Sequence, residues 1–145
     1  MNLKFRLLGT GSSMGVPRSD GFFGKCNPNN IKNYRTRCSA LLSYNEENIL
    51  IDTSPDLRQQ LLDAKIKSLH SVLYTHYHAD QTHGINDLRV FYLISQKKIP
   101  IFCDMETAKY LKNNFSYCFK KKHDYEPILK LRKLKKRFKI FLSNK

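Results

Sequence analysis

The most constraining feature of this chain is the way its strand-like segments are joined. SALLSY and NILIDTS are two short apolar runs separated only by a turn around Asn45 to Glu47, which forces an antiparallel hairpin. The next apolar run, SVLYT, follows only after a helical segment, and a crossover of that kind returns a strand parallel to its neighbour. An antiparallel hairpin and a parallel crossover in one chain predict a mixed α/β sheet.

The flanking segments extend the pattern. In LKFRLLGT, Leu3, Phe5 and Leu7 alternate with Lys4 and Arg6, the period of a strand with one face on a core. GTGSSMGVPR breaks that strand, and residues 20–37, rich in Gly, Asn and Pro, read as a long loop of the functional kind. Ser54-Pro55-Asp56 predicts a helix start, with Ser54 as cap and Pro55 at the first helical position. GINDLRVFYLI begins a second helix, IPIFCD a strand, and METAKYLKNNF a third helix. With 145 residues there is room for one modest domain.

Chemistry concentrates at the end of SVLYT. Residues 75–84 read THYHADQTHG, holding three of the five histidines. Where a chain leaves a strand extended, His76 and His78 point to one side and can meet one ion, and two neutral imidazoles suit zinc, manganese or iron. Asp80 continues the alternation with a hard oxygen donor that can ligate or hold a water nucleophile. His83, His70 and His123 have weak or no motif context. The four cysteines are widely spaced without a CxxC pair, so reduced thiols are the expectation, with no zinc knuckle.

Several strings together, LLGTGSSMGVPR, CNPNN, YRTRCS, ILIDTSPDLRQQLL and THYHADQTHGINDLR, resemble the metallo-β-lactamase superfamily. Within it the likeness is to the branch of phosphoribosyl cyclic phosphate phosphodiesterases and ribonuclease Z-like hydrolases, from about Leu3 to about Leu131. The resemblance implies the amino-terminal half of an αββα sandwich. It further implies a two-metal site where activated water attacks phosphorus in a phosphodiester. Carried onto this chain, His76 and His78 hold the first metal. Asp80 is the catalytic residue, belonging to the second metal and holding the attacking water, and Asp52 stands behind the site to orient a ligand imidazole. Gln81 departs from the pattern, which has histidine there, and the family's later ligands have no counterpart after His83. One zinc or manganese site is therefore expected rather than two, with impaired activity for this chain. A catalytically inactive remnant or a basic nucleic-acid-interacting module is the alternative.

A half-sandwich exposes apolar sheet surface, so self-association or a complementing chain is expected as a partner beside a phosphodiester substrate. The charge of +14 is concentrated after Phe119. Leu131, Leu134, Phe138 and Phe141 fall at helical spacing, giving residues 1–131 as the partial domain and 132–145 as a basic amphipathic tail. Such a tail can lie on nucleic acid or on a membrane surface, but part of it also resembles a family stretch ending in a strand. The start, MNLKFRLLGTG, lacks a signal-peptide core, and no apolar run is long enough to span a membrane, which leads to the expectation of a cytoplasmic protein.

Overall fold

The computed structural model of the chain describes residues 3–134. Six strands form one sheet in sequence order: β1 (Leu3–Gly9), β2 (Ser39–Tyr44), β3 (Glu47–Ile51), β4 (Ser71–Leu73), β5 (Ile99–Cys103) and β6 (Leu129–Lys133). β1, β2 and β3 run antiparallel, and β3 through β6 run parallel. The β2–β3 hairpin turns at Asn45 and Glu46, both at positive φ, the geometry that matches the twist of a two-residue turn.

Of the helices α1 (Leu57–Ala64), α2 (Ala79–Thr82), α3 (Arg89–Ser95) and α4 (Met105–Asn114), α1, α3 and α4 supply buried residues to one cluster. Leu57, Leu61, Phe91, Ala108 and Leu111 pack there with Leu41, Leu50, Val72, Ile101 and Leu129 from the sheet. By register these strand residues share one face. The core therefore lies between that face and the helices. The opposite face carries Phe5, Leu42 and Ile49 in one row and Leu7, Ala40, Ile51, Leu73 and Phe102 in the next.

Two local expectations change. β1 forms, but its apolar residues point away from the helices: Leu3, Phe5 and Leu7 are 60–64% exposed, while Arg6 on the other side reaches the backbone oxygen of Asp63 in α1. Alternation fixed the strand; it did not say which side is covered. The start of α1 also differs. Its capping position is Asp56, with Ser54 and Pro55 outside the helix, and the Asp56 carboxylate, taken by Arg37, caps nothing. Ser54 Oγ instead accepts from the Asp56 amide at 3.1 Å.

At the other end, Leu129–Lys133 is strand, so Leu131 belongs to β6. The remaining tail positions Phe138 and Phe141 lie outside the described residues. No helix among the described residues is long and apolar enough to cross a membrane. All four cysteines are unpaired, and burial pushes the thiols of Cys103 and Cys118 up to about 11.

Candidate metal centre

The His-rich stretch begins at the carboxyl end of β4. Tyr74, buried beneath it, bonds Thr53 Oγ1 at 3.1 Å, and the Thr53 amide donates to the backbone oxygen of Gln81 at 2.7 Å. The segment thus leaves the sheet along a fixed path. His78 is the extended residue before α2, and its carbonyl accepts from Gln81 N and Thr82 Oγ1. Gly84 closes the loop against the chain before α1: a Cβ there would stand 2.0 Å from Ser54 O, so only glycine allows this approach.

This path brings His76 and His78 together, their ring centroids 4.5 Å apart and their planes at 72°. Tyr77 stacks edge-on against His78 and, on its other side, meets Tyr110 of α4. The imidazoles are therefore braced by neighbours as well as by each other.

Asp52 stands behind His76 and acts through Thr75. Its carboxylate accepts from the Thr75 amide and from Thr75 Oγ1, both at 2.7 Å. Thr75 Oγ1 also lies 3.0 Å from His76 Nδ1. A hydroxyl has one proton, and this one is given to Asp52, so toward His76 the oxygen can only accept. Nδ1 must then carry the ring proton, which leaves the Nε2 lone pair free, the tautomer a metal-ligating histidine needs. Asp52 is 6% exposed at φ 60°; burial pushes its carboxyl upward, opposed by the Thr75 bonds and by His76.

The Asp80 Oδ2 accepts from Gln81 Nε2 at 2.9 Å, and the same nitrogen lies 2.9 Å from Cys38 Sγ. Gln81 is buried, and its Oε1 has no partner. Among the described residues no group of three or more His, Cys, Asp or Glu is arranged to hold a metal ion. The donor chemistry fits one ion at two imidazoles, with its other positions filled from outside this set. His83 is exposed, edge-on against Phe115, and His70 bonds Ser71, both away from the pair.

Sequence reasoning missed the residues that fasten the neighbouring loop. Arg37 donates to Asp56 through Nε at 2.9 Å, Nη2 at 2.6 Å and its amide at 2.8 Å, and Gln60 Nε2 donates to Arg37 O at 2.8 Å. The Arg37 guanidinium holds the Asp56 carboxyl below its ordinary range. Thr75, immediately before the HxH string, and Arg35 and Arg37 in YRTR were visible in the sequence, but their partners were too distant in the chain to infer.

Comparison with known proteins identifies the family and the fold. The family model of the β-lactamase superfamily domain matches residues 47–144. The chain belongs to the β-lactamase superfamily. A solved diphosphatase of the PhnP family from that superfamily is 30% identical and superposes with a TM-score of 0.83, covering 97% of this chain and 54% of the diphosphatase. Zinc-bound PqqB from Methylobacterium extorquens shares the fold at 19% identity and a TM-score of 0.66, covering 90% of this chain and 45% of PqqB. A Porphyromonas gingivalis protein named octanoyltransferase is 36% identical over 131 residues, which are 89% of this chain and 26% of that protein. The chain thus spans about half the length of these two solved structures and a smaller part of the octanoyltransferase.

Proposed function

We infer that this chain is the ion-holding part of a metal-dependent phosphodiester hydrolase, in which His76 and His78 bind one zinc or manganese. The observation that carries the reading is the meeting of these two rings, with His76 held by Thr75 and Asp52 in the tautomer that frees Nε2. A divalent ion bound there would lower the pKa of bound water toward neutrality and offset charge developing on phosphoryl oxygens. The protein's own contribution is positional. Asp52 and Thr75 fix the His76 ring, Tyr77 braces His78, and Asp80, with Oδ2 on Gln81 Nε2, offers Oδ1 to hold and deprotonate the attacking water.

Full activity would require a second body over the sheet face that carries Phe5, Leu7 and Ile51, from a complementing chain or another copy. Gln81 favours the second reading, an inactive remnant: its amide nitrogen is taken by Cys38 and Asp80, and its Oε1, though without a partner, is a poorer zinc donor than imidazole. The test is elemental analysis of purified protein together with hydrolysis of bis(p-nitrophenyl) phosphate. Near-stoichiometric metal and a rate that vanishes in the His76→Ala, His78→Ala variant support the hydrolase. Metal without turnover selects the remnant, and equal rates in the variant end the hydrolase reading.

A further inference from the structure

A groove of about 620 Å³ runs between α1 and α3, and none of its lining residues belongs to the metal centre. Two helical faces form it. Arg58, Leu61 and Leu62, at i, i+3 and i+4, share one side of the α1 end of the chain's first crossover. Asp87, Val90, Phe91 and Ile94 repeat that spacing along the 3₁₀ turn Ile85–Leu88 and the helix α3 that follows it directly. Leu61 and Phe91 are buried and make the floor. Leu62, Val90 and Ile94 are 55, 48 and 65% exposed on the walls. Large apolar side chains left open around one concavity mark a place for an apolar occupant.

Charge decides which occupant fits. The charged residues of the lining are Arg58, Asp87 and Lys67. Burial pushes the Asp87 carboxyl up, opposed by the Arg58 amide that donates to it and by the Arg58 charge, so this pair is offset internally. Lys67, three residues past α1, enters no ion pair among the described residues. The lining therefore leaves one cation over in a chain of net charge +14. A second copy would bring its own +14 to the contact, whereas an anion is drawn to it. The volume also falls in the range of about 300–1,000 Å³ typical of small-molecule sites. From Asp87 to Ile94 the wall runs about 10 Å at a helical rise of about 1.5 Å per residue, the length of a medium acyl chain.

We propose that this groove binds a medium-chain monocarboxylate, its acyl chain between Leu62, Val90 and Ile94 and its carboxylate at Lys67. The site stands apart from the hydrolase reading and does not rest on it.

The test is calorimetric titration of the whole chain with decanoate below its micelle concentration, with a chelator present so that the carboxylate cannot bind through a metal ion. One equivalent should bind, and each methylene added between octanoate and decanoate should tighten binding about fourfold. The double variant Val90→Ser, Ile94→Ser should weaken decanoate about tenfold. Lys67→Ala should weaken decanoate about two- to fivefold and leave decan-1-ol unchanged, because only the carboxylate meets the ammonium. Lys97→Ala and Met105→Ser, at exposed positions outside the groove, and His76→Ala should leave decanoate binding unchanged. If the double variant does not fold, nitroxide-labelled decanoate added to the unmodified chain carries the comparison: it should broaden the methyl signals of Leu62, Val90 and Ile94 and spare those of Leu134.

More than one equivalent bound, or losses in Lys97→Ala or Met105→Ser equal to those in the groove variants, would reduce the binding to adhesion of a soap to a basic surface and overturn the site. Absence of binding at millimolar decanoate would overturn it as well. So would sedimentation showing a dimer that the double variant dissociates and decanoate does not, since the groove would then be an interface between copies.

Discussion

Replacing Asp52 with asparagine should invert the tautomer of a histidine that it does not touch. In the native arrangement Thr75 Oγ1 donates to Asp52 Oδ2 and accepts from His76 Nδ1. Asparagine is nearly isosteric and tolerates the φ of 60° at this position. Its carbonyl oxygen can still accept from the Thr75 amide, which turns the NH₂ toward Thr75 Oγ1. The hydroxyl must then accept from that NH₂ and donate to His76 Nδ1, so the ring proton moves to Nε2. Stability should change little, within about 1 kcal/mol, because one bond to a buried charged acceptor is exchanged for a neutral bond while the cost of burying the charge disappears. Zinc affinity should fall roughly 10- to 100-fold, the usual effect of removing a group that orients a ligand imidazole. Asp52→Ala gives the contrast: it removes the acceptor of both Thr75 hydrogen bonds at about 0.5–1.5 kcal/mol each and places alanine in the left-handed region at about 1–2 kcal/mol more. The assays are long-range proton–nitrogen correlation spectra of the His76 ring, zinc titration and urea unfolding. An unchanged Nδ1–H tautomer in Asp52→Asn would refute the relay, and an inverted tautomer with unchanged zinc affinity would refute its link to metal.

Three further outcomes are expected. Gly84→Ala, whose new methyl would meet Ser54 O at 2.0 Å and Leu57 Cβ at 2.8 Å, should cost about 1–3 kcal/mol in urea unfolding, and a neutral result would mean the loop sits further from α1. Asp56 has its carboxyl lowered by Arg37, so its contribution is present above the ordinary carboxylate value and lost as pH falls through the lowered one; Asp56→Asn should flatten that part of the acid unfolding curve, and an unaltered curve would contradict the pairing. Phe5→Ser, at a residue 60% exposed, should change the stability of dilute chain by no more than about 0.5 kcal/mol, and a loss of several kcal/mol would show that this face is covered.

Much of the architecture was legible because local rules decide it. The hairpin turn at Asn45 and Glu46 and the crossover through α1 follow from neighbouring residues alone. The HxH string likewise announced which imidazoles would meet. What could not be read is long-range. The covered side of β1 depends on where α1 packs, and the absence of a side-chain cap from Asp56 depends on Arg37, 19 positions earlier. The relay from Asp52 to His76 needs β3 and β4 side by side before Thr75 can stand between them.

The six strands lie side by side in the order in which they are translated. Each new strand can add to an edge already formed, and no earlier pairing has to open to admit a later one. Such a sheet suits stepwise assembly during synthesis, in which the growing rim is always the most recent strand. β1, made before the other five strands, keeps one flank unpaired within this sheet throughout, so of the six it longest needs shielding from other nascent chains.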